Sequence, residues 1–202
     1  MESQAEEMMA VDFTRTVRQR PNGEYIVTLT DEQCEFCHEY AMARWERWQK
    51  KRSGAPKPQL GRRPADGSEE LLGLCGECGV LLLLWVQDWS IIAQGHPDSG
   101  WDCIIYVTED GERKAKSVDA KAVSYDDGHL AFFKPEHCRA DITVLAYVDR
   151  DRPDEVVVKR WITREDFLRL ARHAALPNGT ELRWLVGQDV MRPMDELLNR
   201  LA

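Results

Sequence analysis

Two acids and one amine recur in this chain at a spacing that can do chemistry. Asp102 opens an apolar run at 101–108, and Asp119 and Lys121 lie within a second run at 114–125. Both runs read as β-strands, with Asp110-Gly111 between them. A two-residue hairpin turn needs φ > 0 at both central positions, and this dipeptide accepts that. Side chains alternate along a strand, so Asp119 and Lys121 share one face while Val118, Ala120 and Ala122 take the other. A hairpin partner then brings Asp102 beside Asp119. Two carboxylates and an ammonium on one sheet face suit a divalent cation and an attacking water. The plainer expectation is a half-solvated strand whose polar residues alternate in the ordinary way.

The cysteines pose a second question. Cys34-x-x-Cys37 and Cys75-x-x-Cys78 have the spacing of zinc ligands. Both pairs fall in segments expected to be helical. Residues i and i+3 share a helix face, so two packed helices would present four thiolates to one ion, with His38 as a spare ligand. Zinc held by four thiolates has no open position for water and would be structural. The alternative is four small apolar side chains buried where two helices touch. Cys103 and Cys138 are expected to be buried and inert.

Charge separates one stretch from the rest. Acids outnumber bases, 35 to 27, for a net charge of −8, which argues against a general nucleic-acid coat. Between residues 44 and 63, however, Arg44, Arg47, Lys50, Lys51, Arg52, Lys57, Arg62 and Arg63 face a single acid, Glu46. A basic strip on an acidic body can grip a polyanion such as a nucleic acid. Its bland reading is a solvated helix end and loop. The first ten residues carry Glu2, Glu6 and Glu7 and no basic start, so no signal peptide is expected. The longest apolar run, 80–86, is far too short to cross a bilayer. An intracellular, cytoplasmic protein with no membrane partner is expected, its cysteines thiols or metal ligands.

The elements that must position these residues follow from pattern. Residues 1–23 read as an N-terminal tail and 24–202 as one domain. A short strand at 24–29 precedes a helix from Asp31 to about Arg52, capped by Thr30 with Gln33 three residues on. Residues 53–68, rich in Gly and Pro, form a flexible basic loop. A Leu-rich helix spans 69–86 despite Gly73, Gly76 and Gly79. A short strand at 89–93 comes before the hairpin. Asp127-Gly128 turns into a third strand at 129–133, and the three strands make an antiparallel meander. Strands at 142–148 and 155–162 follow, then a helix capped by Thr163 that runs to about Ala174. Pro177-Asn178-Gly179 is a turn, 181–186 a strand and 193–201 a last helix.

From about residue 31 to 162 this order resembles the PD-(D/E)xK nuclease superfamily, in particular small phage-borne members. The resemblance is carried by Ala41-x-x-Arg44, by Gly73-x-x-Gly76-Glu77, by Gly100-Trp101-Asp102, by Asp119-Ala120-Lys121 and by the late run Trp161 to Phe167. It implies an α/β, restriction-endonuclease-like mixed central sheet with flanking helices, and hydrolysis of phosphodiester bonds. By the same resemblance Asp102 and Asp119 would bind Mg²⁺ or Mn²⁺, helped by the Ala120 carbonyl. Lys121 would polarise the water, and Glu77 would be the accessory acid. Pro97-Asp98 also matches the first motif, so Asp98 is the alternative to Asp102. Asp102 is preferred because it starts the strand. The resemblance also admits a homodimer and a phage-encoded protein acting in its host cell. Two other readings stand beside it. One is a non-catalytic, zinc-stabilised module binding nucleic acid or protein on the same fold; the other is a zinc-ribbon regulator.

Overall fold

The computed structural model describes residues 16–52, 67–87, 100–175 and 182–202. It is a mixed α/β chain built on two sheets. In the larger sheet β1 (Thr16–Gln19), β2 (Tyr25–Thr28), β7 (Glu155–Thr163), β6 (Ile142–Val148), β4 (Glu112–Val123) and β3 (Cys103–Glu109) lie side by side. β10 (Arg192–Pro193) pairs with β7 beyond the end of β2. β4 and β6 run parallel, and every other neighbouring pair is antiparallel. A smaller antiparallel sheet has the order β5 (Leu130–Phe132), β9 (Leu182–Val186), β8 (Arg172–Ala175).

β6 reads ITVLAYV, a run without the usual polar alternation, because both of its faces are covered. Val144, Ala146 and Val148 enter one core with helices α1 (Asp31–Arg52) and α2 (Ser68–Leu83). Leu145 enters a second core with β5, β9 and helix α3 (Arg164–Leu170). α2 lies between α1 and the sheet, which explains why it is Leu-rich on nearly every side. Its glycines set the distance. A Cβ on Gly76 would stand 2.6 Å from the Ala122 Cβ, and one on Gly79 would stand 2.5 Å from Val156 Cγ1. Only a bare backbone lets the helix come this close.

Local signals hold where local chemistry decides. Thr30 N–H donates to Gln33 Oε1 at 2.9 Å, and Gln33 N–H donates to Thr30 Oγ1 at 3.3 Å, a complete capping box. Asp110 and Gly111 have φ of 55° and 78°, as the hairpin turn requires. Thr163 Oγ1 accepts from Asp166 N–H at 3.1 Å at the start of α3.

Four expectations need correction. Thr16–Gln19 is not tail but edge strand β1. The meander stops after two strands. β4 spends its second edge on β6, over Val118–Val123, so β5 leaves the sheet and pairs with β9. The helix after Thr163 ends at Leu170, because residues 172–175 are drawn into strand β8 against β9. The last helix, α4 (Met194–Leu198), is shorter than its pattern, with Pro193 at its N-cap. The expected tail over 1–15, the loop over 53–66, the strand at 89–93 and the turn at 177–179 lie outside the described residues. Among the described residues no helix is long and apolar enough to cross a membrane.

Candidate metal and phosphate site

The candidate site forms where β3 stops and β4 continues. Cys103 pairs with Val118, and one residue earlier Asp102 N–H still donates to the Val118 carbonyl at 2.7 Å. Asp102 then turns its carboxylate along the β4 edge, and Oδ2 accepts the Ala120 N–H at 2.7 Å. The N–H and C=O of a strand residue leave on the same side, so the Ala120 carbonyl shares this edge. Asp119 and Lys121 project from β4 on the face away from α2, and Lys121 Nζ donates to Asp119 Oδ1 at 2.6 Å. The ammonium stands 5.7 Å from the Phe132 ring of the small sheet. Asp119 is buried, whereas the Lys121 side chain is 40% exposed and is the open side of the pair.

α2 adds Glu77 from the helical side. Its carboxylate is gripped by both terminal nitrogens of Arg44 in α1, each at 2.9 Å. Planar guanidinium suits this two-bond grip. The site therefore gathers three acids and two bases. Arg44 neutralises Glu77 and Lys121 neutralises Asp119. Asp102 makes no salt bridge of its own among the described residues.

The electrostatics follow. Burial raises the Asp102 carboxyl well above its ordinary value, and the charges of Glu77 and Asp119 raise it further. Lys121 and the Ala120 N–H pull the other way without prevailing. Burial also raises Asp119, against the pull of Lys121 and of a hydrogen bond from Asp102. Burial opposes the Lys121 charge, but Asp119 and Asp102 hold its ammonium above the usual value. Two like charges confined together favour one shared proton, and a divalent cation is the other way to relieve them.

Asp102, Asp119 and Lys121 thus lie together at the β4 edge, and Glu77 of α2 is near enough to act on their charges. Among the described residues no group of three or more His, Cys, Asp or Glu side chains is placed to hold a metal ion. That is compatible with Mg²⁺ chemistry. Mg²⁺ keeps several waters and takes one or two carboxylates beside substrate phosphates. The Asp102–Asp119 pair with the Ala120 carbonyl fits that donor set.

The thiols also meet, at the seam of α1 and α2. Cys37 Sγ stands 3.4 Å from Cys78 Sγ, and Cys75 is near enough to influence the Cys37 thiol. A tetrahedral zinc with bonds of about 2.3 Å needs sulfurs about 3.8 Å apart, so this is a contact between neutral thiols. Burial raises Cys34 to about 11 and raises Cys78 too, while the Cys37 hydrogen bond, with burial, raises Cys75. All six cysteines are free.

The basic strip divides. Arg44, expected to contact nucleic acid, turns inward to Glu77 instead, because a half-buried carboxylate is the stronger local partner. Arg47 is exposed, its Nε donating to the Ala43 carbonyl at 3.2 Å. The side chains of Lys50, Lys51 and Arg52, and the whole of Lys57, Arg62, Arg63 and Asp98, lie outside the described residues. Sequence reasoning missed the Arg44–Glu77 clamp. The one available signal was that both residues sit among apolar helix positions that had to face inward.

No family model matches this chain, and no curated protein or solved structure matches it.

Proposed function

We propose that the chain is a metal-dependent nuclease with a restriction-endonuclease-like core of the PD-(D/E)xK type, acting on phosphodiester bonds in DNA. One observation carries the reading. Asp102 and Asp119, with Lys121, gather at the β4 edge, and Glu77 of α2 lies near enough to act on their charges. A phosphodiester repels anionic nucleophiles, and Mg²⁺ or Mn²⁺ bound there would neutralise the phosphate and lower the pKa of an attacking water. Asp102 and Asp119, with the Ala120 carbonyl, would hold the cation. The Ala120 N–H fixes the direction of the Asp102 carboxylate, so little reorganisation is needed on binding. Lys121 keeps its proton beside Asp119 and offers that charge to the negative oxygens of the phosphate. Glu77, oriented by Arg44, stands as the accessory acid at the second edge of the site.

The test is cleavage of plasmid and linear DNA by purified protein with Mg²⁺ or Mn²⁺, and with EDTA. Cleavage that stops in EDTA and in Lys121→Ala supports the reading. A folded protein that never cuts DNA or RNA with either metal ends it. A second reading, the non-catalytic module clamped by zinc, is favoured by the meeting of the cysteines at the α1–α2 seam. It expects one zinc per chain and a shift of nucleic acid without cutting. It also needs the Cys37 and Cys78 sulfurs to move apart and lose their protons.

A further inference from the structure

A second polar region lies at the other end of β4, on the opposite face of the sheet. Lys116 and Asp119 are three residues apart on one strand, so their side chains leave on opposite faces. Around Lys116 opens a cleft of about 750 Å³, within the range of small-molecule sites. Its floor is Trp161, buried in the sheet, with its indole N–H donating to the Pro193 carbonyl at 3.0 Å. Over that ring stand two guanidinium groups, Arg192 at 5.1 Å and Arg200 at 5.5 Å. Lys116 and these two arginines are half-buried, while Arg164 and Arg169 of α3 stand exposed on the lining.

The cleft holds four acids against these five cations, and the acids are committed unevenly. Glu109 pairs with Lys116 at 3.0 Å. Asp166 serves Arg192 at 2.7 Å and Arg169 as well, so one acid is shared by two cations. Asp141 accepts from the Ser117 N–H and hydroxyl, at 2.9 and 2.8 Å, and among the described residues neither it nor the exposed Glu165 forms a salt bridge. Arg164 spends its Nε on the Cys138 carbonyl at 2.9 Å, and among the described residues the Arg200 guanidinium meets the Trp161 ring and the field of Glu109. Neither Arg164 nor Arg200 has a carboxylate within salt-bridge distance among the described residues. In a chain of net charge −8, acids were available to neutralise them. Guanidinium groups aimed into a cleft without carboxylate partners match the fork geometry of phosphate oxygens.

We infer that this cleft is a binding site for a phosphate-bearing ligand of nucleotide size, held by Arg200, Arg192 and Arg164 over Trp161, and separate from the carboxylate site. The ligand chemistry has two sources, a free nucleotide or the terminal phosphate of a nucleic-acid strand. The inference does not rest on the nuclease reading, because no residue is shared between the two regions.

The experiment is titration calorimetry of the full chain in EDTA, so that the carboxylate site has no cation. The probes are pyrophosphate, adenosine diphosphate, and one oligonucleotide with either a 5′-phosphate or a 5′-hydroxyl. Saturable binding of at least one phosphorylated probe is expected. Arg200→Gln and Arg164→Gln should each weaken it by about tenfold or more, with unchanged circular dichroism and melting temperature. Asp119→Asn should leave it unchanged. Preference for the diphosphate assigns a free nucleotide, and preference for the 5′-phosphate over the 5′-hydroxyl assigns a strand end. Should Arg200→Gln fail to fold, Arg164→Gln and the charge-reversing Arg164→Glu, both at an exposed residue, carry the test. No binding at millimolar probe, or binding that both foldable arginine variants leave intact, overturns the inference.

Discussion

The two ends of β4 carry opposite chemistry. At one end, around Asp119, three acids face two bases, and the carboxyl of Asp102 is left to the Ala120 N–H. At the other, around Lys116, five cations face four acids, and Arg164 and Arg200 are left to a carbonyl and an aromatic face. Both regions are assembled at a sheet edge or end, where strands stop and side chains replace the missing neighbours. What separates them is depth. Asp119 is buried and Asp102 is pushed far from its ordinary pKa, whereas the arginines stay near water. A buried excess of charge needs a counter-charge to form at all, while a half-exposed one can wait in water for a ligand.

The largest effect should come from the acidic end. Asp119→Asn or Lys121→Ala should reduce Mg²⁺-dependent DNA cleavage by about 10³-fold while leaving phosphate binding in the arginine cleft untouched. Loss of both together would show that the regions are not independent, and the comparison would fail.

The next effect tests how α2 brings Glu77 to the site. Glu77→Ala leaves the Arg44 guanidinium half-buried without its partner and should lower stability by about 2–3 kcal/mol. The double variant Arg44→Ala/Glu77→Ala should recover part of that loss, which denaturant titration would measure as a coupling. Gly79→Ala forces a Cβ to 2.5 Å from Val156 Cγ1 and should cost about 1–3 kcal/mol by overpacking. It also lifts α2 from the sheet, so cleavage should fall with it. An unchanged midpoint in Gly79→Ala would mean the helix has more room than this packing allows.

The smallest effect is the most direct contrast. Asp166 is pushed up by partial burial, but hydrogen bonds from Arg192, Arg169 and Thr163 outweigh this and hold it below its ordinary value. Its contribution to stability is therefore present above the ordinary carboxylate pKa and is lost as pH falls through its lowered folded value. Asp102 and Asp119 are raised instead. Theirs is present below the ordinary value and is lost as pH rises through the raised folded values. Urea midpoints in EDTA should then fall in Asp102→Asn less steeply than in wild type between mildly acidic and neutral pH. Asp166→Asn should flatten the acid limb alone. Parallel pH curves for wild type and both variants would contradict the opposite signs.

The hairpin part of the candidate site was legible because Asp102, Asp119 and Lys121 are marked locally. The Asp110-Gly111 turn sets the register of the hairpin, and that register puts Asp102 across from Asp119. Glu77 was harder to see, since only the resemblance brought it near the acids. The arginine cleft gave no sign at all. Lys116, Trp161, Arg164, Arg192 and Arg200 come from distant stretches whose spacing has no period.

Sequence alone determined the helix caps, the hairpin turn and the alternation of β4, because each depends on a few neighbouring residues and on backbone sterics. Tertiary structure decided which strand took the second edge of β4, and so sent β5 to another sheet. It also decided how near α2 could approach, and turned Arg44 from an expected nucleic-acid contact into the clamp on Glu77. These outcomes depend on competition among distant partners for the same edge, face or charge, and no short stretch of chain contains both competitors.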